Sequence, residues 1–419
     1  MTWPVVALSE VAETRLGKML DKGKTTGLTK VPYLRNVNVQ WGRIDTHDLL
    51  TMELGDHERD RFGVQAGDLL VCEGGEIGRC AIWNGSNSYV AFQKALHRVR
   101  VGDSLETRFL RHLLQHHADT GVLARLSTGS TIAHLPQQQL RRVPVPLPPI
   151  GEQRRIVEIL EDHLSRLDAA DQYVTDSLRR QAAFSTARLQ QLIWKQPFEL
   201  TTVAEVLREP MRNGRSDRAS DAPNAIRTLT LTAVTRGDFG EHNTKLTSTS
   251  AEVARGLWLE PGDVFVQRSN TPELVGSSAR YDGPTSWAIF PDLLIRLRPD
   301  ESRMDSRFLA AALRSARAHR SLRSRARGLA GSMPKVDQRA VGETVIPLPP
   351  RDRQDEIVAH LDEMQDAGAR MRDASVSALR RSAALRRAVL AVAFEGKLKG
   401  RHTDAEMIEE AASLEGRPR

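Results

Sequence analysis

PLPPIGEQRRIVEIL, residues 146–160, returns as PLPPRDRQDEIVAHL, residues 347–361, in a chain of 419 residues. With Pro146 set on Pro347, an offset of 201, Leu147, Pro148, Pro149, Gln153, Ile156, Val157 and Leu160 match Leu348, Pro349, Pro350, Gln354, Ile357, Val358 and Leu361. The same offset lays SLRRQAAFSTARL (177–189) over ALRRSAALRRAVL (378–390), so about forty residues run without an insertion. Loops absorb insertions, whereas one residue added to a packed helix turns everything after it by ~100°. Each copy therefore reads as one uninterrupted helix. Proline lacks an N–H and keeps its predecessor out of the α region, so PLPP is a stiff, extended lead-in and the helix starts after it. A helix of about 44 residues is ~65 Å long. Leu160, Leu164, Leu167, Val174 and Leu178 form a stripe at three- and four-residue steps that needs a partner. The other copy can supply it, as an antiparallel or crossing coiled coil.

Upstream, a looser repeat runs in the same order. LSEVAE (8–13), AGDLLV (66–71), RFL (108–110) and GS (129–130) recur as LTTVAE (200–205), PGDVFV (261–266), RFL (307–309) and GS (331–332). Their drifting offsets are those of strands joined by loops of unequal length. The expected fold class is α+β, with two tandem mixed α/β domains separated by two long antiparallel helices forming a coiled coil, a pseudo-two-fold internal repeat. The boundaries are 1–149 and 196–350 for the globular domains, 150–195 and 351–400 for the helices, and 401–419 for a tail. GDLLVCEGG, RCAIWNG, GDVFVQRS and SWAIFPDLLIRLR carry the β-branched and aromatic residues of strands. RFLRHLLQHHADTGVLARL (108–126) and RFLAAALRSARAHRSLRSRA (307–326) each read as one helix.

Composition is that of a globular protein, 40% hydrophobic and 27% charged, and a formal charge of +7 leans towards a polyanion. No basic-then-apolar leader opens the chain and no stretch is apolar enough for a membrane span, so a cytoplasmic protein without membrane association is expected. Cys72 and Cys80 have no further cysteine partner, which points to reduced, buried thiols.

The PLPP…EQ.IV passage, its second copy with Arg353 in place of Glu152, and the GS of GSTIAHL and GSMPKV ahead of each PLPP resemble the specificity subunit of type I restriction-modification systems. The resemblance covers nearly the whole chain. It implies two recognition domains held in opposed orientation, reading a two-part asymmetric site in double-stranded DNA. It also implies a subunit without chemistry or cofactor of its own. Two methyltransferase partners would use S-adenosylmethionine to methylate adenine, and restriction or translocase partners would use ATP and Mg. The alternative is a stand-alone DNA-binding or coiled-coil scaffold protein with no enzyme partner. Independently of the family, two similar domains on a rigid spacer can enter successive major grooves ~34 Å apart, and two dissimilar readers need no palindrome.

Affinity for DNA rests on neutralised phosphates, specificity on donors and acceptors at base edges. Segment 302–327 carries eight arginines against one acid, with Arg314, Arg317, Arg320, Arg323 and Arg327 at helical intervals, candidates for one phosphate strand or for a solvated face. The loops after GDLLV and GDVFV offer Glu73, Arg79, Gln267, Arg268, Ser269 and Asn270. QKALHR adds Gln93, Lys94 and His97, and the segments before each PLPP add Ser130, Thr131, His134, Ser332 and Lys335. Arg179, Arg180, Arg380 and Arg381 on the long helices could meet acidic partner surface. His112 and His116, at i and i+4, could hold a metal but lack a third ligand.

Enzyme motifs fail on spacing. GKTT at 23–26 has five residues between Gly17 and Gly23 where a P-loop needs four. LPPI and LPPR lack the Asn of an adenine methyltransferase's Asn-Pro-Pro-aromatic motif, and Pro299–Glu301 is followed by Ser302 and Arg303 where a nuclease needs Lys.

Overall fold

The structure, a computed structural model, describes residues 3–20, 28–85, 88–129, 133–328 and 333–398. Residues 1–174 with 376–419 make one compact unit and residues 175–375 the other. Two long helices, Ile150–Trp194 and Arg351–Phe394, give one half to each unit. Both start directly after the last proline of PLPP, and the first helical bonds run from the N–H of Gln153 to Pro149 O (3.1 Å) and of Gln354 to Pro350 O (3.0 Å). Along the first helix, buried or half-buried residues alternate steps of four and three from Gln153 through Val157, Leu160 and Leu164 to Leu192. Along the second they run through Leu361, Gly368, Ser375, Ser382 and Val389, seven residues apart. That 3.5-residue period belongs to a helix keeping one face against a partner.

In the first unit, β1 (Val5–Ala7), β2 (Ala12–Leu16), β3 (Lys30–Leu34), β4 (Leu50–Glu53), β5 (Leu69–Cys72), β6 (Cys80–Ile82), β7 (Ala91–Phe92), β8 (Leu96–Val101) and β9 (Pro144–Pro146) form three sheets. An antiparallel sheet runs β2-β8-β5-β6, a smaller one β4-β3-β7, and β1 pairs β9 with Val5 opposite Pro146. The fully buried LLVC of β5 serves two cores, because successive side chains leave opposite faces of a strand. Leu69 and Val71 join α1 (Thr107–Asp119) and the long-helix residues Ile156, Val157, Leu160, Val389 and Leu390, while Leu70 and Cys72 join Leu34, Trp83 and Phe92. Arg386 crosses between the helices to Asp168 and Asp171, both at 2.8 Å, and Arg155 donates to Leu398 O (2.8 Å) just past the end of the second helix, so the helix halves run antiparallel here.

In the second unit, β10 (Leu200–Thr202), β11 (Arg212–Asn213), β12 (Ile226–Leu229), β13 (Thr244–Thr247), β14 (Val264–Gln267), β15 (Ser278–Arg280), β16 (Leu294–Leu297) and β17 (Val345–Pro347) form a sheet β11-β16-β14-β15 and the pairs β10-β17 and β12-β13. Val264 and Val266 face a core with Phe308, Ile193, Ile357, Val358 and Leu361, and Phe265 faces the opposite core with Tyr281 and Phe290. Arg188 reaches His360 (3.4 Å) and Arg353 reaches Gln196 (3.3 Å), again an antiparallel approach.

Each sheet buries an arginine beside a second one bound to a carboxylate. Arg98, 3% exposed, lies over Phe92, and Arg100 grips Asp68 at 2.7 and 2.8 Å. Arg296, 4% exposed, lies over Phe290, and Arg298 grips Asp263 at 2.6 and 3.3 Å. Buried cations persist only with such partners.

Two expected helices are each broken. After α1, Gly121 takes φ +74°, a conformation open to glycine, and α2 (Val122–Leu126) follows. In the second unit α3 (Ser306–Arg314) and α4 (Ala316–Ser324) are separated at Ser315, whose ψ of 143° leaves the helical region. Ser315 is fully buried, donating through Oγ to Ala312 O (2.6 Å) and accepting from Trp194 Nε1 (2.8 Å). Cys72 and Cys80 are free and buried in different cores, and burial raises both thiol pKa values. Among the described residues no helix is long and apolar enough to cross a membrane.

Candidate nucleic-acid interface

At one end of the first unit's main sheet three loops are tied together through their backbones. The loop after β5 holds the β7–β8 turn by Glu73 N–H to Ala95 O (3.0 Å) and the segment before PLPP by Leu135 N–H to Glu73 O (2.7 Å). That segment closes on itself through Thr128 and His134, with both bonds at 2.8 Å, and His134 also bridges Gly74. A Cβ on Gly74 would meet the His134 ring at 2.9 Å, so glycine permits the approach. The second unit repeats the arrangement. Arg268 N–H bonds Leu293 O, Val336 N–H bonds Arg268 O, both at 2.8 Å, Lys335 bridges Ser269, and Arg327 and Lys335 exchange bonds of 2.8 and 2.9 Å.

Lys94, His134, Arg320, Arg323, Arg327 and Lys335 are exposed in these places, and Gln93, Arg268 and Asn270 are half-buried. Ser130, Thr131 and Ser332 lie outside the described residues, as does GKTT. Other expected contacts are committed inside the protein. Gln267 is fully buried, with Nε2 donating to Leu231 O (2.8 Å) and Thr235 Oγ1 (2.6 Å) and Oε1 accepting from Asn270 (2.7 Å), so it supports the loop and offers a base nothing. Asn270 also caps Thr271 N–H at 2.8 Å. Arg79 donates to Asn36 O and Oδ1 (3.1 and 2.7 Å), and Asn36 donates to Gly74 O (2.7 Å), so both brace the loop from beneath. His97 is buried, with Nε2 2.8 Å from Leu135 O, and burial keeps its pKa low. Ser269 is buried too.

The arginine stripe is not one stripe. Arg317 stacks its guanidinium 4.2 Å from the Trp194 ring, and Arg314 lines a groove with Leu361, Asp362 and Gln365 of the second long helix. The break at Ser315 leaves Arg314 on α3, whereas Arg317, Arg320 and Arg323 share α4. The histidine pair is equally occupied: His112 is buried with Nε2 3.6 Å from Glu161, and His116 stacks on Phe394 at 5.4 Å. Burial, aided by neighbouring His117, lowers His116 to about 4.

Lys18 and Arg215 were not singled out from the sequence. Gly17 and Gly214 bring the chain so close to the β7–β8 turn and its counterpart that a Cβ would lie 2.2 Å from Gln93 O and 2.0 Å from Phe290 O. The next residue's N–H then bonds Phe92 O (Lys18, 3.0 Å) or Phe290 O (Arg215, 2.9 Å). The signal available was a Gly-basic pair at matching places, LGK and NGR. In the first unit a groove of about 1060 Å³ opens there, lined by Arg15, Lys18, Lys30, Arg61 and Lys94 against Glu53 and Glu58, the latter paired to Lys18. Its cationic lining suits phosphate oxygens.

Residues 1–172 match the type I restriction modification DNA specificity domain. The chain is 22% identical over 428 residues to the type I restriction enzyme EcoKI specificity subunit of Escherichia coli K12, covering 94% of this chain and 89% of that one. A putative type I restriction enzyme specificity subunit of Haemophilus influenzae is 29% identical over 158 residues, spanning 38% of this chain and only 39% of that protein. Among solved structures, one described as the basis of complex assembly and conformational transition of the type I R-M system has TM-score 0.75 at 18% identity, covering 95% of this chain and 98% of that one. The HsdS subunit of Thermoanaerobacter tengcongensis has TM-score 0.53 at 19% identity, covering 95% and 97%.

Proposed function

We propose that the chain is a specificity subunit of a type I restriction-modification system, supported by the similarities above, that it reads a bipartite, asymmetric site in double-stranded DNA and that it docks two methyltransferase subunits, with restriction or translocase subunits as further partners. The observation that carries this reading is the duplicated three-loop edge. Each unit presents the same backbone scaffold with different side chains: Lys94 and His134 on one, Arg268 and Lys335 on the other. Equal scaffolds with unequal chemistry suit two different half-sites. Lys18, Lys30 and Arg61 in the first unit and Arg215, Arg320, Arg323 and Arg327 in the second are the phosphate contacts of this reading. The seven-residue seam of the long helices supports a coiled coil that spaces the half-sites. Exposed Arg179, Arg180, Arg380 and Arg381 are its partner-facing charges. The subunit itself makes and breaks no bond; S-adenosylmethionine, ATP and Mg belong to the partners, and the assembly works in the cytoplasm on resident DNA.

Co-expression with a methyltransferase partner, followed by mapping of methylated adenines, tests the reading. The expected product is methylation at one two-part motif with a fixed unspecified gap. Methylation at a single undivided motif, or none above background with an active partner, contradicts it.

A further inference from the structure

The doubled passage carries one side chain whose work is the same in both units. Gln153 has no exposed surface. Its Oε1 accepts from Glu106 N–H (2.9 Å), and its Nε2 donates to Ser104 O (2.9 Å) and Pro148 O (2.8 Å). Gln354, equally buried, accepts from Asp305 N–H (2.8 Å) and donates to Arg303 O and Pro349 O, both at 2.8 Å. Each amide thus uses its acceptor and both donors on backbone groups of two separate segments. One is the PLPP lead-in to the long helix. The other is the turn that starts α1 or α3, the helix packed on the recognition sheet. Glu106 and Asp305 are the residues that immediately precede those helices.

Three bonds from one rigid planar group fix an orientation, where one bond would leave a hinge. Apart from a longer bond that Gln354 Oε1 accepts from Arg351 Nη1 (3.4 Å), the partners are main-chain atoms, so the glutamine itself is what is constrained: Ser104 becomes Arg303, Glu106 becomes Asp305 and Glu152 becomes Arg353 with the clamp unchanged. No other residue type of this length offers a neutral acceptor beside two donors. Leucine would leave a buried N–H and two buried carbonyls unpaired, and glutamate would set a carboxylate against both carbonyls.

We infer that Gln153 and Gln354 are positioning residues for DNA recognition, each locking the angle between its recognition sheet and the long helix and thereby setting which gap between half-sites the protein accepts. The inference rests on the bipartite reading above. A neutral clamp of this kind is insensitive to salt, unlike phosphate contacts, so gap preference should survive ionic strengths that weaken affinity.

The test uses the full chain with its methyltransferase partner and duplexes carrying both half-sites with the gap varied one base pair at a time. The parent complex should favour one gap over its neighbours by about tenfold or more, in the range of other single-step recognition defects. Gln153→Leu and Gln354→Leu should each lower that preference to about threefold or less while base preference within each half-site stays as in the parent. Where a leucine variant does not assemble, the glutamate variant, which retains the acceptor and loses both donors, is read in the same way. A variant with the parent's gap profile and only a lower rate or melting temperature would show that the glutamine merely stabilises, and overturns the inference. A parent without a two-part site would overturn the DNA reading itself.

Discussion

Asp305 shows how firmly single residues fix this site. Burial pushes its carboxyl pKa up, but hydrogen bonds from the Arg307 side chain and from the N–H groups of Arg307 and Phe308 outweigh burial and hold it at about 2. A carboxyl at about 2 in the fold and 3.8 when free stabilises the protein above pH 4, and that contribution disappears as pH falls through about 2. Asp305→Asn should therefore cost the folded protein about 2 kcal/mol at pH 7, with the gap between parent and variant narrowing from pH 4 to pH 2. Urea melts across that range check it, and a gap that does not depend on pH would contradict the assignment. Residue types alone suggested where recognition sits, but not which side chains are available. Gln267 ends a strand in the inward phase, and Arg317 has Trp194 beneath it; neither burial nor a stacking partner more than a hundred residues away is visible in local composition. Lys18 was overlooked because a glycine's close approach, not its own type, brings it to the edge.

The long helices were legible because proline marks their starts and the indel-free repeat marks their length, and the structure begins them at Ile150 and Arg351. The seam was only half legible. Its centre on the second helix uses Gly368, Ser375 and Ser382, which pack closely without adding to an apolar stripe. At Gly368 a Cβ would lie 2.5 Å from Gln181 Nε2. The shorter helices were misread as continuous because arginine spacing runs through Ser315, whereas a buried serine bound to Trp194 breaks the backbone there. If the helices set the gap, duplicating one seven-residue repeat at the middle of both lengthens each by ~10 Å and keeps the seam in register. Both half-sites should then be retained with a gap longer by about three base pairs at ~3.4 Å each. Methylation mapping of the duplicated variant reads this directly; an unchanged gap would mean the helices do not measure distance.

For the whole molecule, the claim is that two recognition units of one design read two unlike half-sites. The α+β architecture followed from repeated strand signals, whereas the order of the sheets did not, and the structure shows β2-β8-β5-β6 and β11-β16-β14-β15 tracing the same connections. Sequence could not reveal that each long helix contributes half its length to each unit, because that depends on which distant residues meet: Arg386 with Asp171, Arg188 with His360. The most direct measurement replaces residues 1–142 by the matching part of another specificity subunit, co-expresses the hybrid with the methyltransferase partner and maps methylated adenines. One half-site should change to that of the donor, with the other half-site and the gap kept. A change in both half-sites, or in neither, would contradict two separable readers.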